Sequence, residues 1–270
     1  MALRYSTRTQ DSSSPFRSAS PSPQVIMKGI KSIVITIAME GEAMPLITKL
    51  GLTQQSNYFG HAAPFHCFTG TYNNYNLAIV TNGKDRKFGC DNVGTVPAAL
   101  ATYLAVEQLK PDLLINAGTA GGFESKGMAI GDVLISSTIH NHDRRMLLPI
   151  FVDYGVHNHK AVETPRLREA LKFKLGVVST GNSLDHVEAD DALMAANDAS
   201  VKDMEAAAVA WAAELYSVPY FALKVVTDIV DGAHATEEEF VANFAMAQRR
   251  LQEAVPATLD HVLGRSLEEL

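Results

Sequence analysis

Three short, nearly unbroken apolar runs rich in β-branched residues constrain this chain more than any other feature. Ile33 to Ala38, Leu113 to Ala117 and Tyr220 to Thr227 hold too few polar side chains for one face to lie in water. Such runs mark strands covered on both faces, as in a sheet wrapped by helices. Further strands are expected at Phe65 to Thr69 and Asn76 to Thr81, paired around an Asn73-Asn74 turn, and at Asp132 to Ser137 and Leu175 to Thr180. A helix is expected from Gly41 to Leu50, with Pro45 tolerated because it falls in the first turn. Another runs from Asn92 to Leu109 and ends at Lys110-Pro111; four more lie near 165–173, 188–197, 203–217 and 236–263. Strands and helices alternate without internal repeat, which predicts a single layered α/β domain.

The 270 residues carry a formal net charge of -7, so no general basic footprint for nucleic acid or an anionic membrane is present. No apolar run approaches the roughly 18 residues of a membrane span. Cys67 and Cys90 make neither a disulfide framework nor a metal cluster, which fits buried thiols in a reducing, cytoplasmic setting. Residues 1–27 stand apart, with seven Ser, three Pro, three Arg and one acid, Asp11. They read as a disordered extension ahead of a domain spanning 28–270. Organelle transit peptides share that composition, which leaves a plastid address open.

Four candidates for chemistry fall just past the ends of different strands: Glu42, Thr119, the Asp203–Glu205 group and Asp228. In an open α/β sheet those ends converge on one crevice. Gly118-Thr119-Ala120-Gly121-Gly122 permits close backbone approach to a ligand, yet has neither a dinucleotide nor a phosphate-loop spacing. Singly, Asp228 reads as a cap or turn former, and Glu42 and Glu205 as acids complementing helix dipoles. Their joint placement at one edge favours a site. His140, His142, Asp143, His157 and His159 match no metal-ligand spacing and read as loop or interface residues; no metal and no cofactor are expected. Lys84, Arg86 and Lys87 read as a solvated basic loop.

Five segments then occur in a telling order: Ile37 to Ala43, Ile115 to Gly122, Ser179 to Leu184, Asp203 to Ala206, and Val226 to Asp228. Together they resemble the plant type of the 5′-methylthioadenosine nucleosidases, within the nucleoside phosphorylase/hydrolase superfamily, from about Ile30 to the C-terminus. The resemblance implies a single-domain, three-layer αβα fold around a central mixed sheet. It implies hydrolysis of the N-ribosidic bond of methylthioadenosine, with Asp228 as the acid that protonates N7 of adenine and Glu42 as the acid that activates water. Glu205 matches the residue gripping the ribose 2′- and 3′-hydroxyls, Met204 the one packing on the sugar, and Thr119 a small hydroxyl residue near ribose and water. Lys202 and Asp203 fall in the substrate-binding segment before Met204, and Leu184 takes the place of a base-stacking aromatic in bacterial relatives. Asn182 stands where most relatives have Asp, which implies altered tuning near the purine rather than loss of function.

The chemistry requires a proton donor on the base side and a water positioner on the sugar side, so the pKa values of Asp228 and Glu42 are expected to be pushed apart. The nearest rival is a purine nucleoside phosphorylase, but the stretches where such relatives carry phosphate-binding arginines hold Asn116 and Met39 to Met44 here. A non-catalytic binding protein is a second rival, disfavoured because both acids are present. A homodimer is expected by resemblance, with Met146 to Phe151 and Asn92 to Ala99 helping to close the alkylthio pocket. Methylthioadenosine is the expected substrate, with S-adenosylhomocysteine cleaved weakly or not at all.

Overall fold

In the computed structural model, which describes residues 29–270, the first apolar run forms β1 (Ser32–Ile37). Its side chains alternate as a pleat dictates: Ile33, Ile35 and Ile37 join one buried cluster, and Val34 joins another on the opposite face. The chain continues through α1 (Glu40–Leu50), β2 (Thr53–Gln55), β3 (His66–Tyr72), β4 (Tyr75–Thr81), α2 (Thr95–Leu109), β5 (Leu113–Gly122) and β6 (Val133–Asn141). There follow α3 (Pro149–Val156), β7 (His159–Lys160), α4 (Pro165–Leu171), β8 (Lys174–Thr180), α5 (Glu188–Ala196), β9 (Ala199–Asp203), α6 (Ala206–Leu215), β10 (Tyr220–Ile229) and α7 (Thr236–Val262). Helices α1 and α7 cover one face of the sheet, and the Ala-rich α2 and α6 the other. The three-layer fold with a mixed central sheet is thus as expected; the expectations for residues 1–27 lie outside the described residues.

The sheet is not fully open, however. Strands β5, β10, β6, β8 and β9 pair in a closed circuit, and β1, β4, β3 and β2 continue outward from β5. Beside β10, the other edge of β5 changes partner: Leu113 to Asn116 pair in parallel with β1, whereas Gly121 and Gly122 pair antiparallel with β9. The glycine-rich stretch was expected to end the strand, but β5 runs through to Gly122 because β10 stays paired with it. Between the two partners the backbone near Thr119 faces no strand on that edge. Ligand crevices in α/β sheets form at such switch points.

Helix α1 begins at Glu40, so Pro45 lies in its second turn rather than its first. A proline there leaves the carbonyl four residues earlier without its helical donor. That carbonyl, Gly41 O, accepts Gln248 Nε2 of α7 at 2.5 Å. The arrangement is reciprocal: Pro256 inside α7 frees Gln252 O, which accepts Lys49 Nζ of α1 at 2.7 Å. Two mid-helix prolines therefore join α1 to α7.

Unanticipated elements are β2, α3, β7 and β9. Asn73 and Asn74 do form the hairpin turn, with φ of 49° and 68°, the left-handed pair that Asn tolerates.

Candidate active site

At the switch point a cavity of about 230 Å³ opens, lined by the eight residues expected to catalyse or to bind substrate: Glu42, Thr119, Leu184, Lys202, Asp203, Met204, Glu205 and Asp228. They do not all lie past strand ends. Thr119 and Asp228 are inside β5 and β10, Asp203 closes β9, and Glu42 is in the first turn of α1.

Glu42 Oε1 accepts the Thr119 N–H at 3.0 Å and the Thr119 hydroxyl at 2.6 Å. The backbone donor is available because β5 has lost β1 at Asn116 and not yet met β9. Gly118 makes room, since a Cβ there would lie 3.3 Å from Glu42 Oε2 and 3.7 Å from Lys224 Nζ. Burial pushes the Glu42 carboxyl above its ordinary range, opposed by Thr119 and the Lys224 ammonium.

Lys224 is the functional residue that sequence reasoning missed. Its side chain is 1% exposed, and Nζ meets Asp203 Oδ2 at 2.8 Å. Burial pulls its pKa down, but Asp203, Glu205 and Glu42 together carry it above the usual lysine value, so it stays charged. The signal was present: a lysine inside an otherwise apolar run needs buried counter-charges. Asp203 is equally committed, with Oδ1 accepting the Thr180 hydroxyl at 2.6 Å and Oδ2 the Ala206 N–H at 2.9 Å. Glu205 Oε1 accepts the Gly94 N–H at the start of α2, and burial pushes its carboxyl up to about 7. Lys202 Nζ holds the carbonyls of Leu184 (3.2 Å) and Asp185 (2.8 Å), fixing the loop that carries Leu184 on the cavity rim.

Asp228 Oδ1 accepts its neighbour's Thr227 hydroxyl at 2.7 Å. Across the ladder Gly121 leaves the acid its space, because a Cβ there would come within 2.6 Å of Asp228 Oδ2 and 2.7 Å of Val230 Cγ2 and displace those side chains. Burial raises the Asp228 carboxyl too, helped by Glu239 and opposed by Thr227 and Lys202. The two key acids are therefore not pushed in opposite directions. Burial raises both, and each has its own set of neighbours: Thr119 and Lys224 oppose the rise at Glu42 while Asp91 adds to it, and Thr227 and Lys202 oppose it at Asp228 while Glu239 adds to it.

Asn182 does not touch the cavity wall. Its Oδ1 accepts the Thr95 N–H (2.9 Å) and hydroxyl (2.8 Å) at the start of α2, and its Nδ2 donates to Asp143 Oδ2 at 2.8 Å. An aspartate there would set two carboxylates against each other, so the amide fits Asp143 rather than the purine.

Two of the histidines are in strands, His140 in β6 and His159 in β7, while His142 and His157 lie in the loops that follow β6 and α3. His140, His142 and His159 are buried, and burial lowers His142 to about 4. Donor atoms of His157, His159 and Glu214 lie within 4.8 Å of one another, but the two rings stack at 3.9 Å and 21°. An ion ~2.1 Å from each nitrogen lies near the plane of both rings, which nearly parallel stacked rings do not allow. Glu214 is instead bonded by the Tyr220 hydroxyl at 2.8 Å and lies 3.0 Å from His159 Nδ1. In the basic loop, Lys84 pairs with Glu40 at 3.4 Å.

The sequence model described as the Phosphorylase superfamily matches residues 32–260. The chain belongs to the phosphorylase superfamily. At 43% and 44% identity to two plant nucleosidases over more than nine-tenths of its length, this superfamily member is of the plant 5′-methylthioadenosine nucleosidase kind, an N-glycosyl hydrolase. The 5′-methylthioadenosine nucleosidase of Arabidopsis thaliana is 43% identical over 246 residues, covering 91% of this chain and 92% of that protein. A second protein of the same plant, named 5′-methylthioadenosine/S-adenosylhomocysteine nucleosidase, is 44% identical and covers 92% and 98%. The apo structure of the A. thaliana 5′-methylthioadenosine nucleosidase superposes on this superfamily member with a TM-score of 0.88, over 90% of this chain and all of that one.

Proposed function

We propose that the chain hydrolyses 5′-methylthioadenosine to adenine and 5-methylthioribose, as a step of methionine salvage. Breaking the C1′–N9 bond leaves positive charge on the ribose and sends the bonding pair into the purine. Asp228 donates a proton to N7, so that neutral adenine departs. Water held by Glu42 bonds to C1′ and gives its proton to that carboxylate. Glu205 accepts from the ribose hydroxyls, and its charge, with that of Glu42, stabilises the sugar cation. Met204 packs on the sugar and Thr119 orients Glu42. The observation that carries this reading is the pairing of each acid with its own glycine on β5: Gly118 beside Glu42, Gly121 beside Asp228. Roughly 10 Å of strand separates those glycines, enough for a ribose and an attacking water between a donor and a base.

Hydrolysis is favoured over phosphorolysis by the charges on the wall. Among the described residues lining the cavity, the cations are Lys202 and Lys224. One is engaged by two carbonyls and the other by Asp203, and Glu42 repels an anion. Met39, Val93, Val230 and Phe240 on the wall suit a methylthio group better than a homocysteinyl tail. We further propose a homodimer in the cytoplasm in which Met146 to Phe151 of one copy help close the pocket of the other beside Val93. Purified protein in phosphate-free buffer is expected to release adenine from methylthioadenosine at its full rate and from S-adenosylhomocysteine slowly; a strict phosphate requirement would replace this reading with the phosphorylase.

A further inference from the structure

Asp228 sits where β10 departs from regular pairing. Val226 faces Ala120 and Asp228 faces Gly121, so Thr227 is skipped in the register with β5, its hydroxyl reaching the Ala120 carbonyl at 3.3 Å. A bulge of this kind re-aims a side chain and leaves backbone groups outside the ladder. The first turns of α7 take up two of them. Asn243 Nδ2 donates to the Thr227 carbonyl at 3.0 Å, and Glu239 Oε2 accepts the Ile229 N–H at 2.8 Å. These are the peptide groups on either side of Asp228. Asn243 Nδ2 also donates to the Glu239 carbonyl at 2.9 Å, which ties both residues into one turn of helix. On the opposite side Gly121 leaves the carboxyl little slack.

We propose that Glu239 and Asn243 are positioning residues for the acid: they hold the bulge in the one conformation that aims the Asp228 carboxyl into the cavity. The inference rests on Asp228 being the proton donor. Neither residue touches the reacting atoms; both act through the peptide groups flanking Asp228. Glu239 has a second effect through its charge. The groups acting on Asp228 are Glu239 from α7, Lys202 from β9 and the Thr227 hydroxyl of its own strand, and among them Glu239 favours the protonated form.

The test compares variants that separate bond from charge. Asn243→Asp keeps the shape but loses the N–H donor, and kcat on methylthioadenosine is expected to fall about 10- to 100-fold while KM stays within about twofold. Glu239→Gln keeps an acceptor for Ile229, so kcat stays within about threefold while the alkaline limb of the pH profile moves to lower pH. Glu239→Ala loses both and is expected to fall with Asn243→Asp. The proposal is overturned if Glu239→Ala and Asn243→Asp keep wild-type kcat, or if the loss lies in KM alone. Should Asn243→Asp not fold, the contrast between Glu239→Gln and Glu239→Ala decides by itself. Asp228→Asn, assayed alongside, separates the two levels: normal turnover in that variant ends the assignment of the acid, whereas an inactive Asp228→Asn beside unimpaired clamp variants ends only the clamp.

Discussion

Lys224 Nζ meets Asp203 Oδ2 at 2.8 Å with neither side chain open to water, and Glu42 and Glu205 add their fields to the same ammonium. Removing one partner of such a buried pair leaves the other charge uncompensated. Lys224→Met is therefore expected to lower unfolding free energy by about 3–5 kcal/mol, read from the urea midpoint at constant m-value. Glu205 offers a second test through its pH response. Its folded-state pKa is raised to about 7 from 4.5. A raised acid pKa favours folding at low pH, and that contribution is lost as pH climbs from about 4.5 to about 7. As pH approaches about 7 the carboxylate that the proposed mechanism sets on the ribose hydroxyls appears. Hence kcat/KM is expected to rise with pH up to about 7, and Glu205→Gln to flatten both that limb and the stability slope. A limb that survives the substitution unchanged would assign it to another group, Glu42 being next in line.

At the scale of elements, the two prolines make α1 and α7 depend on each other, and α1 carries Glu42 while α7 carries Glu239 and Asn243. Gln248→Ala strands the Gly41 carbonyl and is expected to cost about 1 kcal/mol. In a Pro45→Ala background the helix supplies its own donor to that carbonyl, so Gln248→Ala is expected to cost much less there; equal costs in both backgrounds would refute the pairing. Most elements were legible from apolar runs and turn residues, because burial on both faces writes itself locally. Strand β9 was not, since its five residues include Lys202 and Asp203 and no apolar run. Helix α3 was also missed: Ile150, Phe151 and Val152 are exposed, so no apolar stripe points to a core.

For the whole molecule, that exposed apolar surface is the feature with consequences. Leu147 is 92% exposed, Ile150 81% and Val96 70%, more than scattered surface residues account for. If two copies bury these stretches, the protein sediments as a dimer. Ile150→Glu is expected to shift it toward monomer and to weaken methylthioadenosine binding, because the pocket then lacks its neighbour. A monomeric wild type with full activity would remove the dimer from the account.

The sequence by itself determined most of the strands and helices, the faces they bury, and a set of acid–base side chains close to where strands end. Those properties follow from propensity and periodicity within a few residues. Only the tertiary structure decided how that chemistry is tuned. Glu42 meets Thr119 across 77 positions and Glu205 meets the Gly94 N–H across 111. The N–H given to Glu42 is free only because β5 changes partners from β1 to β9, and Lys224 stays charged only because three carboxylates converge on it. Strand register and closure of the sheet set these distances, and neither is encoded in any local stretch of the chain.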